Sequence, residues 1–521
     1  MEIKNQTRNF IILLVVLLFF LRIDYRFKTT VECCSDEYDY FLHASTIVYD
    51  FDFDYDNQNL RDFSYKYGEK IAPIGFVGTG ILSSPFLFMG KLLTNIFNQP
   101  TSETIMNYEF LLYSFSSVVY FFLSYFILLK LMSLLQFKLN KYKLLLYFSA
   151  SGLPYYAFER FGMTHVFEVF TILLLTLTVF NFYENTKLRN IYAFLIPLIL
   201  LISFLTRMSN FFVFFIPLII KKIYISKFKI KKITLISNFY FLVSSILSIL
   251  VFRYLSISIY GRIIINPQQI YGDTRDPFNI FKNFDNLFLD ATKTFINILF
   301  TNEFGIFWMS PIIFLGICIA LKNLKNFKII NNWLILISFA QCFYIVYLWK
   351  TTASSYGFRY LYPLIPLSFI LYFLESKKSK YFESYIFYFS ILGILGVLFF
   401  ETTLLTQLST TPQLNTFGKD IRYVEPEYVK GLLLALFNLE SYYIIFTTSF
   451  FGATVFKILL ILFGENKLIN FLNFLKLPVE NDNFQNYIDN LTMIGIDKFI
   501  FSIIILVIFT YIIVYKIDSK T

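Results

Sequence analysis

Ile71-Ala72-Pro73-Ile74-Gly75-Phe76-Val77-Gly78-Thr79-Gly80-Ile81-Leu82-Ser83-Ser84-Pro85-Phe86-Leu87-Phe88-Met89-Gly90-Lys91-Leu92-Leu93-Thr94-Asn95-Ile96-Phe97 settles how the chain is threaded. The run is long enough to cross a bilayer, which takes about 20 apolar residues at about 1.5 Å each. Counted as a span, it would put the basic cluster Lys138, Lys141 and Lys143 outside and invert every later loop. Short cytoplasmic loops collect Lys and Arg, so that inversion is disfavoured. The segment also carries Pro73, Gly75, Gly78, Gly80, Pro85 and Gly90. It is therefore read as a helix lying along the outer surface, or re-entrant.

Working outward, the 521 residues are 57% hydrophobic and 15% charged, against roughly 25% charged in soluble domains. That excludes a single soluble domain. Lys and Arg number 45 against 35 Asp and Glu, but the surplus lies in short clusters between apolar runs, so nucleic acid is disfavoured as a partner. Cys33, Cys34, Cys318 and Cys342 form neither a disulfide framework nor a zinc-ligand spacing. Phe at 68 and Tyr at 38 are so abundant that an aromatic position by itself says little about function.

The expected fold is an all-α polytopic membrane protein of about thirteen spans with a long outer first loop that carries surface helices. Phe10 to Leu21 follows Lys4 and Arg8 and is followed by Arg22, Arg26 and Lys28 without a small-residue cleavage site, which makes residues 1–23 an uncleaved first span. Residues 24–106 form the outer loop; from Asp24 to Lys70 it holds eleven acidic and five basic residues. Residues 107–374 form a transmembrane core, with spans at Asn107 to Phe137, Leu144 to Phe158, Val166 to Tyr183, Ile191 to Thr206, Phe211 to Ile220, Ile233 to Ile259, Phe304 to Leu321, Trp333 to Trp349 and Tyr360 to Leu374. Residues 375–521 add Tyr385 to Leu405, Tyr442 to Phe463 and Phe499 to Val514. Two arms, Leu144 to Phe158 and Phe211 to Ile220, reach only about 15 to 23 Å against a core of about 30 Å. Their outer tips lie below the membrane surface, where polar backbone is tolerated only beside buried protein or a water-filled cavity. No internal repeat of the transporter kind is evident.

With this threading the unusual polar residues fall on one side: Asp36, Glu37, Asp39, Glu69, Lys70, Glu159, Arg160, His165, Arg207, Arg262, Asp273, Arg275, Glu303, Lys350 and Arg359. Taken singly, most are span-end charges that snorkel or are solvated. Ser35-Asp36-Glu37-Tyr38-Asp39-Tyr40 sets adjacent carboxylates just past the first span, where partial burial would tune one as a general base, or where they begin a helix. Asp50-Phe51-Asp52-Phe53-Asp54-Tyr55-Asp56 alternates acid and aromatic, an extended segment, a divalent-cation site or a solvated loop. Lys66-Tyr67-Gly68-Glu69-Lys70 places a cation at the entry of the decisive segment. Arg207 stands at a tip too short to reach solvent and needs an anionic partner. Arg359 opens a span on the same side and suits bidentate grip of phosphate. His165, with Glu159 and Arg160 just before it, is a loop histidine or a ligand. No Walker loop, G-x-S-x-G elbow or H-E-x-x-H is present, so nucleotide-driven transport and zinc proteolysis lose support.

An acidic pair after the first span, a long outer loop, a surface segment and a dozen spans resemble the GT-C membrane glycosyltransferases, in particular the bacterial branch of the lipid A aminoarabinose transferase and the protein O-mannosyltransferases. Ser35 to Tyr40 looks like that branch's Asp-Glu signature, and Lys66 to Lys70 with Pro73 looks like its Tyr-x-Glu-Lys-Pro-Pro stretch, with Ile71 and Ala72 in place of the prolines. Tyr49 to Asp54, Pro154 to His165, Arg207 to Asn210, Gly305 to Pro311, and Trp349 with Ser355 to Arg359 match a set of uncharacterised bacterial relatives. The resemblance implies a polyprenyl-phosphate-linked sugar as donor, a glycan, lipid or protein acceptor, and transfer with inversion on the outer face of a bacterial inner membrane. It implies Asp36 as the base, Glu37 shaping the site, and Lys70, Arg207 and Arg359 as the cations on the donor phosphate. Glu69, His165 and Arg160 are further candidates, and since family members differ over a divalent metal, Glu69 is a candidate ligand. Two other functions use similar outer-face charges: a surface-polysaccharide polymerase or ligase, which needs no acidic pair after the first span, and a lipid or solute transporter or flippase.

Overall fold

The computed structural model describes residues 2–22, 35–60, 64–97, 108–228, 233–264, 269–270, 284–300, 305–322, 329–349, 356, 358–375, 380–400, 428–474, 487–489, 491–492 and 494–518. In chain order these form α1 (Glu2–Phe20), α2 (Ser35–Tyr49), a hairpin of β1 (Tyr65–Tyr67) and β2 (Lys70–Ala72), α3 (Val77–Ile96), α4 (Tyr108–Leu134), α5 (Lys141–Ser149), α6 (His165–Glu184), α7 (Arg189–Thr206), α8 (Ile216–Lys227) and α9 (Leu235–Tyr260). There follow α10 (Phe284–Phe300), α11 (Ile306–Met309), α12 (Pro311–Lys322), α13 (Ile329–Trp349), α14 (Ile365–Glu375), α15 (Lys380–Phe399) and the C-terminal helices Tyr428–Leu436, Leu439–Thr448, Phe450–Phe463, Glu465–Phe474 and Ile496–Asp518.

Among the described residues seven helices are long and apolar enough to cross a bilayer: Val77–Ile96, Tyr108–Leu134, His165–Glu184, Arg189–Thr206, Leu235–Tyr260, Tyr381–Phe399 and Ile496–Asp518; the bent pair Val429–Leu436 and Ser441–Thr448 would make an eighth. The chain is a multi-pass α-helical membrane protein. The expected thirteen spans differ from this number because several arms are interrupted. Leu144 to Phe158 is α5, a turn at Gly152 with φ +83°, and a single π-helical turn, Tyr155–Glu159. Phe211 to Ile220 is a 3₁₀ turn, Phe211–Phe215, leading into α8. Phe304 to Leu321 breaks at Ser310 before Pro311, whose missing N–H cannot continue a helix from the preceding turn. Tyr360 to Leu374 opens on the 3₁₀ turn Arg359–Leu364, and Tyr442 to Phe463 breaks at Ser449. The interruptions satisfy one another: Ser310 Oγ donates to the Ser151 carbonyl at 2.7 Å, and the Tyr362 and Tyr156 hydroxyls donate to the Tyr356 carbonyl at 2.7 and 3.3 Å. Such bonding is what makes non-helical backbone tolerable inside a bundle.

The decisive segment forms α3, and by length and composition it counts among the candidate spans. Its glycines are points of close contact. A Cβ at Gly78 would strike the backbone of Leu205 and Thr206, one at Gly80 the backbone of His43 and Ala44, and one at Gly90 the backbone of Glu109. The helix runs on through Pro85. Gly90 against Glu109, and the Tyr120 hydroxyl on the Leu82 carbonyl at 2.9 Å, set α3 antiparallel to the first half of α4. Its first turn is tied down by Thr79 Oγ1 donating to Thr164 Oγ1 at 2.9 Å, which donates to the Thr206 carbonyl at 3.0 Å. α3 is thus wedged between the acid-bearing α2 and the end of α7.

The region from α2 to the start of α3 is further pinned by His43. Its Nε2 lies 2.8 Å from the Gly75 carbonyl and its Nδ1 2.5 Å from the Tyr55 hydroxyl. A carbonyl can only accept, so Nε2 carries the proton and Nδ1 accepts from Tyr55. The neutral ring satisfies both contacts, and burial lowers its pKa from an ordinary 6.5 to about 4.

Helix α10 lies in what was read as a loop before Phe304, packed on α13 with Phe288 and Phe295 against Phe339. At the end of α1, Arg22 Nη1 donates to the Ile445 carbonyl and Thr448 Oγ1, Nη2 donates to the Leu398 carbonyl, and Nε lies 3.5 Å from Glu159. The last helix runs parallel to α4: Tyr108 bonds Asp497 at 2.9 Å at one end, and Tyr142 bonds Asp518 at 2.9 Å at the other. It therefore ends on the face that carries Lys141 and Lys143.

Candidate functional site

Asp36 and Glu37 occupy the first turn of α2, where the helix dipole favours carboxylates. Neighbouring residues on a helix point about 100° apart, and the two acids diverge. Glu37 turns inward over Gly162, which leaves room for it. There both its oxygens lie 3.1 Å from Arg160 Nε. Burial pushes its carboxyl above the usual range, with Arg160 opposing. Asp36 stays 43% exposed, its Oδ2 3.8 Å from Arg359 Nη2, so of the two acids it is the one a substrate can reach.

Two guanidiniums meet Asp36's side of α2. Arg207, at the end of α7, and Arg359, at the entry to α14, lie 4.8 and 5.5 Å from the centre of the Tyr360 ring. Their side chains are 12% and 13% exposed. Arg359 Nε is buried with no hydrogen-bond partner among the described residues. Arg207 Nε donates to Ser209 Oγ at 3.2 Å, and its Nη1 lies 3.5 Å from Glu168 Oε1. Glu168, buried on α6, also accepts from His165 Nδ1 at 2.7 Å and from Asn210 Nδ2 at 2.8 Å. Tyr40 follows Asp36 by four residues and so shares its helix face; its ring edge rests on Gly75. Burial first, then the Asp36 carboxylate, hold its phenol above the usual tyrosine range, with Arg207 opposing.

Asp36, Glu37, Arg160, His165, Arg207 and Arg359 are thus brought to one place. Glu69 and Lys70 lie on the β1–β2 hairpin, whose Tyr65 packs on Tyr260, and Tyr260 bonds the Gly75 carbonyl beside Tyr40. Gly68, with φ +60°, and exposed Glu69 form the two-residue turn of the β1–β2 hairpin, in register Tyr67 with Lys70, and the Lys70 stem lies at Gly261 beside Tyr67. Arg262 packs over the rings of Tyr65 and Tyr67 on the same hairpin. Asp273, Arg275, Glu303 and Lys350 lie outside the described residues, as do Cys33, Cys34, Ser355 and Gly357. The Asp50 to Asp56 tract is a folded turn rather than an extended strip, with Phe51 at φ 59° and Asp50, Asp52 and Asp54 gathered on Thr46 Oγ1.

A divalent metal does not fit these residues. Among the described residues no three His, Cys, Asp or Glu side chains are placed to hold one, and His165 and Glu168 are already committed to each other.

Beside the Arg207 tip a cavity of about 340 Å³ opens between the 3₁₀ turn before α8 and α13. Its near end is Ser209 and Gln341, the latter bonding Asn210 at 3.3 Å, and its far end is Trp333 stacked on Phe215. The wall between is Phe211, Leu336, Ile337, Ala340 and Tyr344. From Trp333 to Tyr344, which lies one turn past Gln341, the lining runs about 16 Å along α13, at about 1.5 Å per residue.

Sequence reasoning missed Glu168, Tyr40 and Tyr360. Glu168 carried a usable signal, being an acid inside an apolar run three residues after His165. No protein-family profile, curated protein or solved structure matches the chain.

Proposed function

We propose that the protein is a membrane glycosyltransferase that moves a sugar from a polyprenyl-phosphate donor to a hydroxyl acceptor, with inversion. The observation that carries this reading is a reachable carboxylate, Asp36, facing two guanidiniums around Tyr360 at the head of an apolar groove. The acceptor hydroxyl gives its proton to Asp36 while its oxygen bonds the anomeric carbon from the side opposite the phosphate. The carbon–oxygen bond to phosphate breaks, and its electron pair stays on the departing polyprenyl phosphate. Arg207 and Arg359 stabilise the charge gathering there, which is where fixed cations help most. Arg359 is held to Asp36 only at 3.8 Å; an arriving phosphate draws it away and leaves the carboxylate free to accept a proton. The prenyl tail lies in the groove. An outer-face location agrees with the acidic loop and the basic returns of the sequence.

The test supplies envelope membranes with a panel of labelled polyprenyl-phosphate sugars and follows transfer of label to endogenous acceptor. Asp36→Asn should lower transfer by about a hundred-fold or more, the usual scale for a lost general base, at unchanged expression. Transfer that survives Asp36→Asn removes the carboxylate from the mechanism and favours a surface-polysaccharide polymerase or ligase. Flux of intact lipid-linked sugar into proteoliposomes, without covalent turnover, points to a transporter.

A further inference from the structure

Glu168 takes no part in the reaction just described, yet it is the most deeply placed charge at the site, with none of its side chain exposed. A carboxylate inside a helix of membrane-spanning character is sustained only by partners. Two of its three partners, Arg207 and Asn210, belong to one four-residue tip between α7 and the following 3₁₀ turn. The third is His165, whose Nδ1 lies 2.7 Å from Glu168 and 3.2 Å from Arg207 Nη1. One ring nitrogen cannot donate to the carboxylate and accept from the guanidinium at once. A carboxylate can only accept, and at 2.7 Å it is the nearer of the two, so Nδ1 carries its proton toward Glu168 and the partner of Arg207 is the carboxylate.

We infer that Glu168 is the resident counter-anion of the phosphate subsite. It neutralises Arg207 while the subsite is empty and competes with a bound phosphate monoester for the same guanidinium, so that spent polyprenyl phosphate is released. The inference rests on the reading of Arg207 as a phosphate ligand given under Proposed function. Two largely buried guanidiniums without such a competitor would retain a lipid phosphate, because attraction between charges is little screened at such a site. The Arg207–Glu168 separation of 3.5 Å is longer than a charge-assisted hydrogen bond of about 2.8 Å, a contact that a phosphate can outdo. Glu168 acts through Arg207 and is a positioning residue.

The prediction has a sign that a merely structural brace would not give. Glu168→Gln keeps the shape and removes one negative charge several ångströms from the bound phosphate, so phosphate affinity should rise by about ten-fold or more. The probe is farnesyl phosphate, with farnesol as the uncharged control, titrated into the purified full chain in detergent and read by intrinsic fluorescence, Trp333 lying in the groove. Wild type should prefer farnesyl phosphate over farnesol. Glu168→Gln should bind farnesyl phosphate about ten-fold tighter and farnesol unchanged, and in an Arg207→Ala background the gain should vanish. A wild type with no preference for the phosphate overturns the phosphate reading itself, and this inference with it. A wild type that prefers phosphate, with Glu168→Gln binding it equally or more weakly, overturns the counter-anion alone. Parallel loss of both probes makes Glu168 a brace and also overturns it. If Glu168→Gln does not fold, Glu168→Asp, which draws the charge back from Arg207, carries the same test with a smaller expected gain.

Discussion

Acidification should loosen the segment between α2 and α3 through one side chain, His43. In the folded chain its ring is buried, donating to Gly75 and accepting from Tyr55, and its pKa falls to about 4 against 6.5 when free. Above pH 6.5 both states are neutral and the group contributes nothing to the pH dependence. Below it the unfolded chain takes up a proton that the folded chain refuses, so stability declines as pH drops from 6.5 and levels off below about 4. The full difference is about 3 kcal/mol, at 1.36 kcal/mol per pH unit. Because His43 ties α2 to the Tyr55 turn and to the entry of α3, the loss should appear first as release of that loop. The measurement is the thermal midpoint of the purified protein in detergent at pH 7, 6, 5 and 4, for wild type and His43→Gln, with limited proteolysis of residues 50–60 as the local readout. His43→Gln should be less stable at pH 7 but show a shallower fall between pH 6 and 4. Equal slopes for the two proteins would refute the argument.

Arg22→Met should cost about 3 to 5 kcal/mol, since it removes the cation beside fully buried Glu159; adding Glu159→Gln should restore most of the midpoint, and a double variant no better than the single one would show that the pair is not a unit. Ala340→Trp should fill the middle of the groove and abolish the gain in affinity from geranyl to farnesyl phosphate, each displaced methylene being worth about 0.8 kcal/mol. A full chain-length dependence in that variant would move the tail elsewhere.

Much of this arrangement was legible in the residues, because hydrophobic length and periodicity fix long helices directly. The ends of α4, α6, α7 and α9 fall within three residues of the apolar runs that mark them. The convergence of Asp36, Arg207 and Arg359 was legible through the threading, which put their span ends on one side. What failed was anything set by local turn geometry or close packing. The tight hairpin turn that holds Glu69 and Lys70 was not read, because it depends on a glycine adopting positive φ at Gly68. Gly78 and Gly80 are contact points whose partners, Thr206 and Ala44, are distant in the chain, so their role could not be read locally. Glu168 was passed over because an apolar run absorbs one acid without changing its average.

The wedge formed by α3 has a further consequence. The spacing between α2, which carries Asp36, and the end of α7, which carries Arg207, is gauged by two missing methyl groups, at Gly78 and Gly80. Side chains between those two elements can therefore change in sequence while the calliper that spaces them stays shut.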